Sequence, residues 1–166
     1  MAIIIKSDRE IALMREAGRI VALTLEALTR AIRPGITTAE LDVIAEREIR
    51  SRKGIPSFKG YRGFPASICV SVNDEVVHGI PGSRVLKEGD IVSLDVGAIF
   101  EGFQGDAALT VPVGKVSPKA RALLEATDGA LNAGIAAARP KARLGDVSVA
   151  IQQYVESRGF SVVREY

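Results

Sequence analysis

The sequence predicts an α+β fold, in which amphipathic helices pack against an antiparallel β-sheet. Two capping boxes, Ser7–Glu10 and Thr37–Glu40, mark helix starts, because each pairs a hydroxyl residue with a glutamate three positions later. Apolar residues at helical spacing follow each box, as far as Arg33-Pro34 in the first helix and Gly54 in the second. Farther along, Asp90–Val113 holds two apolar, β-branched runs around a short turn, which is typical of a β-hairpin.

The spacing of apolar residues also predicts which face of each helix is buried. Met14 belongs to the first stripe, so we assign it to the core rather than to a binding surface. The predicted core positions are Ile11, Met14, Gly18, Val21, Leu25, Leu28 and Ile32 in the first helix and Leu41, Ile44, Ala45 and Ile49 in the second.

The segment that follows the second helix is predicted to be an ordered loop. Ile55–Pro65 combines glycine and proline with Phe58, Tyr61 and Phe64, whereas flexible linkers do not concentrate aromatic residues. The loop would either wall an apolar pocket or cover an open edge of the core, and composition does not separate these alternatives. The remaining predicted elements are a strand over Ala66–Val72, a turn at Asn73-Asp74, a strand over Val76–His78, helices over Ala120–Ala138 and Leu144–Ser157, and a strand beginning at Phe160–Val163.

The predicted hairpin carries two carboxylates, Asp95 and Asp106. If the turn centres on Phe100-Glu101, the two residues lie opposite each other. If the pairing slips by one position at the centre, Asp95 faces Ala108 and Asp106 becomes its diagonal neighbour on the same face. Paired carboxylates within apolar strands suit divalent metal ions, but an aspartate at a strand end can also be merely solvated. The pair alone supports both interpretations equally.

Composition excludes several functional classes. The net charge is +2, from 22 basic and 20 acidic residues, which is too even for direct nucleic-acid binding. The one basic run, Arg50–Lys53, is interpreted as a solvated helix end. A single cysteine, Cys69, excludes an internal disulfide and favours a reducing compartment. No signal peptide and no membrane span are predicted, so we expect a cytoplasmic protein.

The sequence also contains an imperfect internal repeat. Arg33-Pro34 aligns with Arg139-Pro140, and at the same shift Ser51-Arg52 aligns with Ser157-Arg158. The order of long helix, second helix and strand agrees between the copies. We therefore predict one domain over residues 1–166, with a first repeat over about residues 7–114 and an incomplete second repeat over about 117–166 whose sheet is missing.

Three stretches together resemble type I methionine aminopeptidases. They are FPASICVSVNDEVVHGIPG, LKEGDIVSLDVGAIFEGFQGDAALTVPVG and GFSVVREY. The resemblance extends from the first helix to Tyr166, and it places His78, Asp95 and Asp106 in matching context. It implies the pita-bread fold of creatinase- and aminopeptidase-like proteins, here with the first repeat, the helices of the second and an incomplete sheet.

The resemblance also implies roles for individual residues. Asp95 would chelate one divalent metal ion, and Asp106 would bridge two. The metal ions, which in this family site are cobalt, manganese, iron or zinc, would activate the water that cleaves the initiator methionine from a nascent protein. His78 would hydrogen-bond near the scissile amide and so be catalytic. Without the resemblance, a lone histidine beside a turn is more often structural.

The same resemblance predicts an apolar pocket for the methionine side chain. Tyr61, Phe64 and Cys69 match residues that line this pocket, and His78 reaches it from the scissile amide. Phe58 falls near the same wall. The family's other ligands, a histidine and two glutamates, are absent, so we expect weak or absent metal binding and weak or absent activity in this chain.

Two further hypotheses compete with a methionyl aminopeptidase. The chain could be a non-catalytic pita-bread half that binds peptides or partner proteins, or a related peptidase acting on Xaa-Pro bonds. The SVNDEVVHGIP stretch and the lack of an extra N-terminal domain argue against the latter. The predicted substrates are N-terminal methionine peptides, with no nucleic-acid or membrane partner. An incomplete sheet should expose an apolar face and a strand edge, so we also expect self-association or instability.

Overall fold

The structure, a computed structural model, describes residues 4–164. Helices and one antiparallel sheet confirm the predicted α+β class. The elements in chain order are α1 (Asp8–Ala31), α2 (Thr38–Ser51), β1 (Ile55–Pro56), a 3₁₀ turn (Tyr61–Gly63), β2 (Ile68–Val72), β3 (Ile91–Phe100), β4 (Phe103–Pro112), α3 (Pro118–Ala137) and α4 (Leu144–Glu156). A first unit ends at Val116 and a second begins at Ser117. Among the helices of the described residues, none combines the length and apolarity that crossing a membrane requires.

Both predicted capping boxes are present. The Ser7 hydroxyl accepts a hydrogen bond from the Glu10 amide, and the Glu10 carboxylate accepts one from the Ser7 amide at 2.7 Å. Thr37 and Glu40 form the same reciprocal pair at the start of α2, where the carboxylate accepts from the Thr37 amide at 2.8 Å. Each box satisfies amides that a helix end leaves unpaired, which explains why these two helices begin where the sequence predicts.

The end of α2 uses Gly54 in a different way from a simple glycine stop. The left-handed residue is Lys53, with a φ of +62°, and the Gly54 amide donates to the Ile49 carbonyl at 3.1 Å. This bond closes the last turn of the helix. Gly54 is buried, and an added Cβ would lie 3.0 Å from the Ile49 side chain, so the chain turns tightly against the helix it leaves.

Strand β3 is the centre of the sheet. β4 pairs with it along its whole length, while β1 and β2 pair one after the other with its opposite edge, and all pairs are antiparallel. Pro56 of β1 lies opposite Ala98, and Ile68 of β2 lies opposite Val96. The chain between β1 and β2 therefore leaves and rejoins the same strand edge on either side of Gly97.

The two faces of this sheet have different chemistry because side chains alternate along each strand. Val92, Leu94, Val96 and Ala98 of β3 point to one face and are completely buried in a core that α1 and α2 complete. The opposite face of β2, β3 and β4 carries mainly small and polar residues, namely Cys69, Ser71, Ser93, Asp95, Gly97, Asp106, Ala108 and Thr110. The first face supplies the core, and the second is free to carry chemistry.

The second unit contains the predicted helix pair. Ser117 caps α3 and Pro118 occupies its first turn, as the sequence predicts. Glycines on α3 let α4 approach closely, since a Cβ at Gly129 would overlap the Tyr154 ring, and one at Gly134 would lie 2.8 Å from the Ile151 side chain. The assignment of this unit as an incomplete second repeat stays a prediction.

The prediction for the first turns of α1 was wrong. Ile11 and Met14 remain 43% and 39% exposed, and Gly18 is also exposed. Burial instead begins at Ala17 and continues through Ile20, because only this later part of the helix lies against β3 and β4. Met14 is therefore not a core residue in the part of the chain that the structure describes.

Two predicted strands are also absent. Val76–His78 is irregular, because only a single backbone bond, from the Val70 amide to the Gly79 carbonyl, joins this segment to β2, and His78 has a φ of +59°. Phe160–Val163 is irregular as well, since no strand within residues 4–164 pairs with it. Extended apolar sequence forms a strand only where a partner supplies the ladder.

Substituting Gly105 tests the close contact between β4 and α1. A Cβ at Gly105 would lie 2.6 Å from the backbone of Ala17 and Gly18, which cannot move as a side chain can. We expect Gly105→Ala to lower the free energy of unfolding by about 2 kcal/mol. The matched control is Gly18→Ala, whose Cβ meets nothing within 4 Å. It should raise the free energy by about 0.5–1 kcal/mol through helix propensity. Urea denaturation measures both, and equal effects of the two variants would contradict the contact.

Candidate metal and substrate site

The hairpin register places the two aspartates on one face. Asp95 lies opposite Ala108 and Asp106 opposite Gly97, so Asp106 is the diagonal neighbour of Asp95. The second of the two registers allowed by the sequence is thus the correct one. Pairing continues without a bulge to Phe100 opposite Phe103, around a two-residue turn whose members Glu101 and Gly102 have φ of +48° and +83°. Positive φ at both positions is typical of the turn that matches the twist of a hairpin.

The environment of Asp95 disfavours an isolated negative charge. One of its carboxylate oxygens, Oδ1, is buried and accepts no hydrogen bond from any described residue. Burial first, and then the charge of Asp106, raise the pKa of the Asp95 carboxyl above its ordinary value, whereas His78 lowers it. A buried oxygen without a donor and a neighbouring like charge are both stabilised by a bound cation.

An aromatic loop, which we define as residues 57–67, stands beside these carboxylates. Its ends lie close together on β3, and the Ser57 amide donates to the Gly97 carbonyl at 3.1 Å. Phe58 covers Gly97 so closely that an added Cβ there would lie 2.6 Å from its ring. Compact loops with adjoining ends are frequently functional. This loop confirms the sequence prediction of an ordered segment, and it walls a cavity.

The cavity measures about 630 Å³ and joins the aromatic loop to the aspartates. Its size lies within the usual range for small-molecule sites. It is lined by Phe58, Tyr61, Arg62, Gly63, Phe64, Pro65, Cys69, His78, Ile80, Asp95 and Asp106. Every site residue named from the sequence therefore lies on one cavity. Sequence reasoning missed Arg62, Gly63, Pro65 and Ile80, although their neighbours in the same two loops were named.

His78 reaches the cavity from a tightly packed loop. Its φ of +59° is rare for a residue other than glycine, and such conformations persist only where the surroundings enforce them. The next residue, Gly79, donates its amide to the buried Ser71 hydroxyl at 3.1 Å, and its carbonyl accepts from the Val70 amide at 2.9 Å. A Cβ at Gly79 would overlap the Val70 carbonyl, so only glycine fits there.

The metal-binding capacity of the described residues is limited to the two aspartates. Within residues 4–164, histidine, cysteine and acidic side chains form no group of three that could hold a metal ion. The unpartnered Asp95 Oδ1 and the nearby Asp106 carboxylate fit a divalent cation as two oxygen ligands. Cys69 lies directly opposite Asp95 on β2, but its thiol is a poor additional ligand while it keeps its proton.

The comparisons with known proteins agree with this site. The model of metallopeptidase family M24 matches residues 12–166, so the chain belongs to that family. Methionine aminopeptidase 1 of Bacillus subtilis is 60% identical over 164 residues, which cover 99% of this chain and 66% of that protein. The chain thus spans slightly less than two thirds of the length of this relative.

Solved structures identify the fold as the predicted pita-bread fold. Methionine aminopeptidase from Rickettsia prowazekii superposes with a TM-score of 0.97 at 42% identity, covering 99% of this chain and 66% of that one. A Xaa-Pro dipeptidase from Bacillus anthracis superposes with a TM-score of 0.76 at 26% identity, covering 93% of this chain and 42% of that one. The likeness to the methionine aminopeptidase is the greater in both fold and sequence.

The reactivity of Cys69 tests the electrostatics of the cavity in the metal-free protein. Burial, together with the charges of Asp95 and Asp106, raises the pKa of the Cys69 thiol to about 11. At pH 8 we expect iodoacetamide to alkylate the folded chain at least about tenfold more slowly than the urea-unfolded chain, because little thiolate is present. The rate should keep rising with pH toward 11. Asp106→Asn should increase the rate at pH 8, since it removes a charge that opposes the thiolate, and an unchanged rate would contradict this coupling.

Proposed function

We propose that this chain carries part of the active site of a metal-dependent aminopeptidase that removes the initiator methionine from nascent proteins. The single observation that supports this proposal most is the cavity, which joins two carboxylates to an aromatic wall. The carboxylates suit the charged end of a peptide and its metal ions, and the wall suits an apolar side chain. The similarity to methionine aminopeptidases supplies the substrate class. Because the described residues provide only two metal ligands, we propose that the chain by itself is weakly active or inactive.

In this proposal each residue of the cavity has a separate task. Asp95 would chelate one divalent ion and Asp106 would bridge two, with cobalt, manganese, iron or zinc as candidates. A divalent ion held there would supply the Lewis acid that activates water and polarises the scissile carbonyl. Tyr61, Phe64 and Cys69 would enclose the methionine side chain.

His78 would donate or accept a hydrogen bond at the scissile amide. Its packed loop limits the positions that the imidazole can take, which supports a role in orientation. The apolar wall would exclude water from the methionine side chain, and so hold the first peptide bond between the histidine and the carboxylates.

The proposal also includes a cytoplasmic location and peptide substrates. Nascent proteins are made in the cytoplasm, and a single cysteine fits a reducing compartment. We propose no direct contact with nucleic acid, because the net charge is only +2, and no membrane partner.

The test is release of free methionine from a Met-Gly-Met peptide, measured together with Mn²⁺ binding, for the purified chain. We expect Asp106→Asn to weaken Mn²⁺ binding by at least about tenfold, because it removes one of two carboxylate ligands. The matched control is Asp74→Asn, which removes an exposed carboxylate outside the cavity. It should bind Mn²⁺ as the parent chain does.

Each outcome of this experiment is informative. Methionine release that Asp106→Asn abolishes would show that the chain is active as it stands. Mn²⁺ binding that depends on Asp106 without any release would support a partial site. Peptide binding without metal dependence would favour the alternative of a non-catalytic binding module. Equal Mn²⁺ binding by the parent and both variants would contradict the metal site.

We further propose that the chain associates with itself through the sheet. No strand within residues 4–164 pairs with the outer edge of β4, and Leu109 on this strand is 42% exposed. Unpaired strand edges readily pair with other chains. We expect sedimentation velocity to show dimers or larger species that increase with concentration. A lysine at Leu109 should reduce them, and a monomer at all concentrations would contradict this proposal.

A further inference from the structure

We infer that Glu46, which lies on α2 and does not line the cavity, is a positioning residue that holds the aromatic loop in its binding conformation. Through the loop it sets the affinity of the cavity for an apolar side chain. The identity of the ligand, a methionine side chain, rests on the proposed function. The contact between Glu46 and the loop does not depend on that function.

Glu46 contacts the aromatic loop near both of its ends. Its carboxylate oxygen Oε2 accepts from the Lys59 ammonium at 2.7 Å and from the Ser67 hydroxyl at 3.2 Å. The other oxygen, Oε1, accepts from the Arg50 guanidinium at 2.8 Å, which orients the carboxylate from within α2. One side chain thus joins the start of the loop, its end and the helix behind it.

A second carboxylate on the same helix face strengthens this attachment. Asp42 lies one helical turn before Glu46, and its Oδ1 accepts from the backbone amides of Ser67 and Ile68 at 2.8 and 3.1 Å. These bonds fix the backbone where the loop enters β2. The start of the loop has no such backbone anchor on α2, so the bond between Glu46 and Lys59 is the one that ties this part to the helix.

The position of Glu46 separates it from the other ion pairs of α2. Glu48 pairs with Arg52 at 2.7 Å within the helix, and Arg47 pairs with its neighbour Glu48 at 3.7 Å. Only the Glu46 pair with Lys59 connects this helix to the loop among the ion pairs of residues 4–164. The Glu46 side chain is 25% exposed, so solvent screens it less than a fully exposed partner.

Electrostatics are consistent with this geometry. The hydrogen bonds from Lys59 and Arg50 are the largest contributions that lower the pKa of the Glu46 carboxyl to about 2. The carboxylate therefore keeps its charge, and with it the contact to Lys59, at any pH above this value. A neutral isostere at position 46 should lose most of this interaction.

The loop needs an external attachment because its own backbone is adaptable. Gly60 and Gly63 have φ of +87° and +83°, and Arg62 between them has a φ of +48°. Glycine samples such conformations freely in many other arrangements as well. Without the bond to Lys59, Phe58 and Tyr61 would occupy more conformations, and binding would then include the entropy loss of ordering them.

The experiment compares Glu46→Gln with Glu48→Gln in the purified chain. Glu48→Gln is the matched control, because it removes an ion pair of the same helix that does not reach the loop. L-methionine binding is measured by NMR titration, and hydrogen exchange is measured at the amides of Gly60–Phe64. We expect Glu46→Gln to weaken methionine binding by about fivefold and to accelerate exchange in the loop by a similar factor. Glu48→Gln should change neither.

Two further variants separate positioning from general stability. Lys59→Met should reproduce the effects of Glu46→Gln, whereas Lys59→Arg should retain parental binding because it keeps the charged donor. The double variant Glu46→Gln with Lys59→Met should be no worse than either single variant. If Glu46→Gln does not fold, Lys59→Met alone tests the inference.

The outcomes distinguish this inference from the proposed function. Parental binding and parental loop exchange in Glu46→Gln, or equal losses in Glu48→Gln, would overturn the positioning role. Absence of methionine binding in the parent chain would contradict the proposed ligand. Loop exchange in Glu46→Gln and Lys59→Met would then decide the contact with the loop on its own.

Discussion

The structure depends on the continuous pairing of β3 with β4. Because side chains alternate along a strand, this one register decides which residues enter the core and which face the cavity. A slip by one residue on β4 alone would turn Asp106 and Ala108 toward the helices and bring Ala107 and Leu109 onto the opposite face. The two-residue turn at Glu101-Gly102 and the burial of Val92, Leu94 and Val96 act together against such a slip. The carboxylates are placed by the same interactions that stabilise the fold.

The cavity is built from chain segments that the sheet holds at one edge of β3. The aromatic loop leaves this edge before Gly97 and returns after it, and the His78 loop packs beside β2 through Gly79. Gly97 and Gly79 have no side chain to interfere with these close approaches. Small residues on the outer face of the sheet thus create space, and the loops use it for aromatic and polar groups.

Polar contacts from the helices reach the site as well as the apolar core. Thr38, in the first turn of α2, exchanges hydrogen bonds with the backbone of Gly82 at the far end of the His78 loop. Asp42 and Glu46 hold the aromatic loop from the same helix. One helix therefore supports both loops, and a change on its polar face can alter the cavity without touching the core.

The sequence by itself determined the elements whose interactions are local. Capping boxes, helical stripes and the hairpin depend on residues a few positions apart, so they could be predicted, as could the common face of Asp95 and Asp106. Tertiary structure decided what depends on distant partners. Among these features are the register chosen from two alternatives, the exposure of Met14, the irregular conformation of Val76–His78, and the contact of Glu46 with Lys59. Such features follow from which surfaces meet after folding, and periodicity along the chain carries no information about that.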